Sequence, residues 1–409
     1  VNDPRAMIMG LYEHILRQVN GQVCVADALS SSGYRPNAVI AIGKAAASMM
    51  QGALSGLPEK ALLITAPDYL GEKSFPDFVE ILYSGHPIPN QGSLQAGERL
   101  IGFLRELPED AKLLFLLSGG SSAMVESLAS GVTLLDLQTT NQWLLANGYS
   151  ITEINEVRRR LSRIKGGGLC HFFRVAECRA WYISDVPGDD PSVIGSGLLF
   201  PSGVASEVEG LPASIARLFS TLPTNTEPCC RDARILASAS TARSAASSFV
   251  NPDFEVTLHS SYLDGDVAEV AAEIVETLRA SGDGMHIWSG EPTVSLPTTP
   301  GRGGRMTALA LHLIKLLAVE SQNVSKFAWT ALCASTDGVD GNADAAGAIV
   351  DCHSAHALRA QGIDIKEYIC QARSGECLGV IDSLLPKRIT GTNVTDLIIV
   401  FKQPIYQPI

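Results

Sequence analysis

The run KLLFLLSGGSS at 112–122 restricts the fold more than any other stretch of the chain. Five consecutive apolar residues, 113–117, stop abruptly at Ser118, Gly119, Gly120, Ser121 and Ser122. An unbroken apolar run of that length suits a strand covered on both faces, as in a parallel α/β sheet. Ligands of such sheets bind beyond the carboxyl ends of the strands, which is where this loop falls. Its two glycines and small hydroxyls let a ligand approach the backbone N–H groups. The same residues also suit a plain strand-to-helix turn with Ser121 or Ser122 as N-cap, so the loop alone does not decide.

Neighbouring stretches carry the same punctuation. AVIAI at 38–42 predicts a second buried strand, and Gly43, Lys44 and a run of alanines and methionines predict a helix just after the glycine. Lys44 then stands between a strand's carboxyl end and a helix N-terminus, a place where lysines meet phosphates. A P-loop is excluded, because Ala38 occupies the position of its first glycine. Strands are also predicted near 62–67 and 79–83, with helical patterns over 3–29 and 93–107. The second of those strands leads into a proline-stiffened loop that holds His86. This alternation indicates an N-terminal, Rossmann-like parallel sheet.

Further along, a basic helix from 151 ends at Gly166, and three glycines after Lys165 free the backbone to turn that lysine inward. A strand near 180–183 delivers Asp185, Asp189 and Asp190, acids close enough to want a cation or a proton donor. A solvated turn with an Asx cap is the plainer reading of that segment. Order weakens between 203 and 230, and a new series of strands and helices starts near Ala233. The chain therefore reads as an N-terminal domain, 1–232, and a C-terminal α/β domain, 233–409. The second half offers Glu291, the glycines Gly303 and Gly304, and Arg305 opening a helix, a strong anion site. It also offers Asp337, Asp340 and, before a last strand, Asn393.

Composition narrows the class. A chain of 409 residues, 46% hydrophobic and 18% charged, holds a substantial core and has room for two domains. A net charge of −12 argues against nucleic acid or an anionic membrane as partner. Nine cysteines without a C-x-x-C pair read as reduced thiols, Cys229 and Cys230 being too close in sequence to bridge each other ordinarily. With no signal-peptide pattern and no apolar run of about 18 residues, the expectation is a soluble cytoplasmic protein.

Lys44, Arg305, the hydroxyl and glycine loop and the acidic clusters are the parts that phosphoryl transfer uses. A site between two domains can also close and exclude water. A dehydrogenase would show G-x-G-x-x-G after a strand, and the sequence contains none. A serine hydrolase would need G-x-S-x-G around Ser118, and a zinc enzyme would need more than His353 and His356. A non-catalytic sugar-acid binding module would not need both Lys44 and Arg305.

These motifs together are family-specific. GKAA at 43–46, SGHP at 84–87, SGGSSA at 118–123, IKGGGL at 164–169 and SDVPGDD at 184–190 stand in the first half. SGEPTV at 289–294, GRGGRM at 301–306, TDGVDG at 336–341 and GTNV at 391–394 stand in the second. In this order the chain resembles the type II glycerate kinases, the family with the MOFRL C-terminal region. The resemblance implies ATP-dependent phosphorylation of D-glycerate to 2-phosphoglycerate with Mg²⁺, and Lys44 and Arg305 as the catalytic pair. Ser118, Gly119, Gly120, Ser121, Ser122, His86 and Lys165 are expected at the substrate, the 118–122 loop receiving phosphate or the glycerate carboxylate, and Gly43, Glu291, Gly303, Gly304 and Asn393 at the nucleotide. Asp189 is expected as general base or Mg²⁺ ligand, with Asp337 the alternative metal ligand. NAD(P)H-dependent hydroxypyruvate reduction is the competing activity, and a homodimer is left open. Two positions depart from the family pattern: Leu198 replaces a proline after GSG, and Ala239 stands about where an asparagine is usual.

Overall fold

The protein is described by a computed structural model covering residues 3–201, 208–219, 229–230, 232–249, 254–320 and 327–404. The first sheet has six strands: β1 (Ala38–Ile42), β2 (Lys60–Thr65), β3 (Val79–Tyr83), β4 (Lys112–Ser118), β5 (Glu177–Ile183) and β6 (Asp232–Ala237). Their order is β3-β2-β1-β4-β5-β6, and every pairing is parallel. β4 is the predicted apolar run, and it lies between β1 and β5 with residues 113–117 buried. Its unbroken pattern follows from this place, since a central strand of a doubly covered sheet has no solvent face.

The order is that of the Rossmann fold, and its consequence is geometric. The chain leaves β1 toward β2 on one side and leaves β4 toward β5 on the other. The loops after β1 and β4 therefore diverge and open a crevice at the carboxyl ends of the two strands. Gly43 and Lys44 follow β1, and residues 119–122 follow β4, so the two motifs singled out in the sequence meet there.

The second sheet comprises β7 (Val256–Leu263), β8 (Gly284–Gly290), β9 (Phe327–Ser335), β10 (Ala345–Asp351), β11 (Leu384–Pro386) and β12 (Asp396–Pro404). Its order is β11-β10-β9-β12-β8-β7; β7 and β8 are parallel and the other pairs antiparallel. Helices Val267–Ala280 and Arg305–Glu320 bury Ile274, Leu278, Leu309 and Ile314 with Trp288 and Val400 of the sheet. The antiparallel register sets Asp396 opposite both Gly290 and Ser335.

Two compact units result, and they are not the two halves of the chain. One holds Asn20–Ser238 with Gly391–Asn393; the other holds Val1–Val19, Ala239–Thr390 and Val394–Ile409. The sequence reading cut the chain once, after residue 232, whereas β6 pairs in parallel with β5 and completes the first sheet. Helix Pro4–Gln18 packs with the second sheet, where the Tyr12 hydroxyl donates to Ser335 O at 2.8 Å and Arg5 pairs with Asp351 at 2.7 Å. The helix expected over 3–29 breaks at Asn20, whose side chain accepts the Gln22 N–H and starts a second helix, Gly21–Ser32.

The cysteine expectation is corrected. Cys229 and Cys230 do not bridge each other; each bonds a different partner, Cys170 and Cys178, with Cα atoms 5.3 and 4.7 Å apart. Sequence adjacency ruled out only the one pairing that does not occur. Among the described residues no helix is long and apolar enough to cross a membrane.

Phe115 is fully buried at the centre of β4, 6.0 Å from the Phe173 ring. Phe115→Ala is expected to cost about 3–5 kcal/mol in urea unfolding; a loss below about 1 kcal/mol would contradict its place in the core.

Candidate active site

The junction of β1 and β4 is held by backbone and hydroxyl contacts. Lys44 N–H donates to Gly119 O at 3.0 Å, and Ala45 N–H donates to Ser118 Oγ at 3.0 Å. Gly43 has φ 125°, and a Cβ there would lie 2.4 Å from Ser118 Oγ, so the turn demands glycine on two counts. Ser118 is fully buried. Its hydroxyl accepts the Ala45 N–H and so supports the turn.

The half-buried Lys44 side chain lies over the Tyr69 ring, 5.7 Å from its centroid, and Tyr69 meets His86 edge-on at 5.9 Å. A Cβ on Gly120 would fall 2.8 Å from His86 Cδ2 and 3.3 Å from Lys44 Cγ. His86, joined to Pro87 by a cis peptide, therefore stands beside the lysine at the loop. On the other flank, a Cβ on Gly119 would lie 1.9 Å from Asp185 Oδ2 and 2.1 Å from Asn393 Nδ2. Asn393 Nδ2 donates to Asp185 Oδ2 at 2.7 Å. Gly119 is thus the gap into which an acid and an amide fit.

Of the acids after β5, Asp185 meets this loop at Gly119. Asp189 sits on the turn beyond, at φ 54°, with its N–H bonded to Val186 O. Asp190 is an Asx cap accepting Ser192 N–H at 2.8 Å. Asp185 is two residues past the end of β5, whereas Asp189 and Asp190 lie further along the same loop.

The rest of the β4 loop rests on the Gly195–Gly197 turn. Ser122 Oγ is 2.7 Å from Ser196 Oγ, which donates to Asn155 Oδ1 at 3.1 Å. Ser121 is buried, and its hydroxyl has no hydrogen-bond partner among the described residues. Lys165 does turn inward, but into the protein: its side chain is 1% exposed and pairs with Glu126, at 0%. Glu126 also accepts the Ser162 hydroxyl. Burial lowers the Lys165 pKa, and Glu126 opposes that shift. Nothing in the sequence flagged Glu126, an acid inside an otherwise unremarkable loop.

In the second unit, Arg305 opens helix Arg305–Glu320 as expected. The helix N-terminus itself is already occupied, because Asp340 accepts the N–H groups of Met306 and Thr307 at 2.9 and 2.8 Å. Gly303 and Gly304 pack against Ser374 and Asp340, so their close approach is to protein atoms. Arg305 Nε lies 2.5 Å from Asp396 Oδ2, and Nη1 donates to Glu291 Oε1 at 2.7 Å. The β8–β12 register causes this, bringing the residue after Gly290 beside Asp396. Burial lowers the Arg305 pKa, but the two carboxylates outweigh it and hold the guanidinium above its ordinary value. Burial also pushes Asp396 up to about 7, against the pull of Arg305. Asp337 is buried after β9 and accepts from Ser335 Oγ and Val339 N–H.

Among the described residues no three His, Cys, Asp or Glu side chains gather as a metal site. Mg²⁺ needs no such group when phosphate oxygens and waters complete its shell. Asp185, a carboxylate at a glycine loop, fits that mode with one ligand.

Comparison with known proteins identifies the family. A family model described as a domain of unknown function (DUF4147) matches residues 7–213, and that of the MOFRL family matches 284–396. A D-glycerate 2-kinase of Thermotoga maritima is 32% identical over 393 residues, covering 88% of this chain and 89% of that one. A protein of Agrobacterium vitis named as a hydroxypyruvate reductase is 34% identical over 342 residues, covering 78% of this chain and 87% of that one. A crystal structure of a Thermotoga maritima glycerate kinase matches with a TM-score of 0.81 at 28% identity, covering 97% of this chain and 100% of that one. The chain belongs to the MOFRL-containing glycerate kinase family.

Lys165→Met leaves the Glu126 charge buried and is expected to cost about 3–5 kcal/mol in denaturant unfolding, most of it restored in a Lys165→Met/Glu126→Leu double variant. A near-neutral single variant would show that the pair is not buried.

Asp396 has an ordinary carboxyl value of 3.8 and a folded value of about 7. The native state then binds the extra proton between those values, so stability falls as pH rises through that window. Unfolding at pH 5 and pH 7 should show a smaller fall in Asp396→Asn than in the parent; equal slopes would contradict the shift.

Proposed function

We propose that the protein is an ATP-dependent kinase that phosphorylates D-glycerate to 2-phosphoglycerate. The observation that carries this reading is Lys44 at the switch point of a Rossmann-ordered sheet, beside a glycine loop flanked by His86 and Asp185. Family membership supplies the substrate class.

In this reading the Lys44 ammonium stabilises the charge on the equatorial oxygens of the transferring γ-phosphoryl group. The glycerate 2-hydroxyl attacks the γ-phosphorus, the bond from that phosphorus to the bridging oxygen breaks, and ADP leaves. The hydroxyl proton passes to an Asp185 carboxylate oxygen, with Asn393 holding the other carboxylate geometry fixed. His86 and the Ser122 hydroxyl orient the glycerate carboxylate. Mg²⁺ would be held chiefly by phosphate oxygens and waters and would neutralise polyphosphate charge, with Asp185 its protein ligand only where another acid takes the proton. Arg305 is assigned a guanidinium contact to phosphate on the family motif alone. Asp189 and Asp337 remain the sequence-derived alternatives for base and metal ligand.

The reductase name of some relatives has one structural point in its favour, the Rossmann strand order. The loop after β1 argues against it, since GKAA replaces the glycine fingerprint that receives a dinucleotide pyrophosphate.

With D-glycerate, ATP and Mg²⁺, the parent protein is expected to release ADP, and Lys44→Ala to lower kcat by at least about 10²-fold. Unchanged turnover in that variant, or NAD(P)H oxidation by hydroxypyruvate without ADP formation, would overturn the proposal.

A further inference from the structure

Arg305 carries two carboxylates, and they are placed in opposite environments. Asp396 is 1% exposed and lies at the start of β12, pinned between Gly290 and Ser335 by the sheet register. It addresses the guanidinium at two nitrogens, with Nε at 2.5 Å from Oδ2 and Nη2 at 3.4 Å from Oδ1. Glu291 is 46% exposed and takes the single nitrogen Nη1 at 2.7 Å, on the face where Arg305 itself is 35% exposed. The Glu291 backbone is fixed, its N–H bonded to Leu263 O at 2.8 Å and its carbonyl followed by Pro292, so only its side chain is free to swing.

We propose that Asp396 is a permanent anchor that positions Arg305, and that Glu291 is an exchangeable stand-in for a phosphate oxygen, displaced when a polyphosphate binds. The polyphosphate as ligand rests on the kinase reading above; the division of labour between the two acids does not.

The energetics separate the two. An exposed pair contributes about 0–1 kcal/mol, so exchanging Glu291 for a phosphate oxygen costs little. The Asp396 side is different, because moving Arg305 away would strand a carboxylate that is 1% exposed. Ligand anions therefore compete at Nη1 and leave the Asp396 side intact. A guanidinium held from behind also presents its remaining N–H groups in a fixed direction, which favours bidentate phosphate contact. While Glu291 occupies the outer face, Arg305 is screened from stray anions, and the bound ligand must outbid one internal carboxylate.

The two variants should move anion binding in opposite directions, which a purely structural role for both acids would not do. Calorimetric titration with inorganic pyrophosphate is the readout. Glu291→Gln is expected to tighten binding by about threefold, because an internal competitor is gone. Asp396→Asn is expected to weaken it by at least about tenfold through loss of the anchor, with partial recovery in Asp396→Glu. Phenylglyoxal labelling of Arg305, read by peptide mass spectrometry, should speed up in Glu291→Gln and slow on adding pyrophosphate. Tighter binding in Asp396→Asn, or weaker binding in Glu291→Gln, would overturn the proposal. Should Asp396→Asn not fold, the Glu291→Gln affinity and labelling rate still decide it. Pyrophosphate binding with the expected signs, alongside no ADP release from ATP and D-glycerate, would sink the kinase reading and keep the clamp.

Discussion

The hydrogen bonds that tie the end of β1 to the end of β4 are what the first unit's chemistry depends on. Ala45 N–H on Ser118 Oγ and Lys44 N–H on Gly119 O make two loops into one surface. Only glycine fits at position 43, because its φ and the nearby Ser118 hydroxyl both forbid a side chain. The lysine is thereby carried on backbone that cannot drift, at the one place in this strand order where neighbouring loops part. Asp185 and Asn393 then close the other flank against Gly119. Catalytic precision of this kind comes from backbone held by the scaffold more than from the side chains themselves.

Charge burial follows different rules in the two units. Lys165 and Glu126 are both buried, and the pair supports the turn that leads into the GGG segment. Such pairs add little net stability but are costly to break. Arg305 is only partly buried and faces a sealed acid on one side and an exposed one on the other. The first arrangement fixes a loop; the second leaves a cation poised for exchange. Asp340 takes two of the helix's N-terminal N–H groups, those of Met306 and Thr307, so part of that end's anion attraction is already used inside the protein.

Much of the first sheet was legible because its strands are buried on both faces, and continuous apolar runs such as 113–117 have few other readings. The strand-end position of Lys44 followed from the same logic. Partners distant in sequence were not legible. Nothing local says that helix Pro4–Gln18 joins the second sheet, or that Asn393 reaches Asp185 across 208 residues. Asp185 was passed over for Asp189 because sequence gives the spacing of acids but not that Asp185 meets Gly119 and Asn393. Lys165 and Ser118 are both buried, and the glycines that free a lysine to turn inward do not say whether it meets ligand or protein. Cys229 and Cys230 show the same limit, because adjacency excludes one bond and says nothing of the two that form.

The central claim is transfer of a phosphoryl group to glycerate by a lysine-centred site. Following the label from [γ-³²P]ATP in the presence of D-glycerate tests it most directly. The label should appear in 2-phosphoglycerate with the parent protein and should be nearly absent from that product with Lys44→Ala. Label released only as inorganic phosphate, or product formed equally by both proteins, would contradict the account.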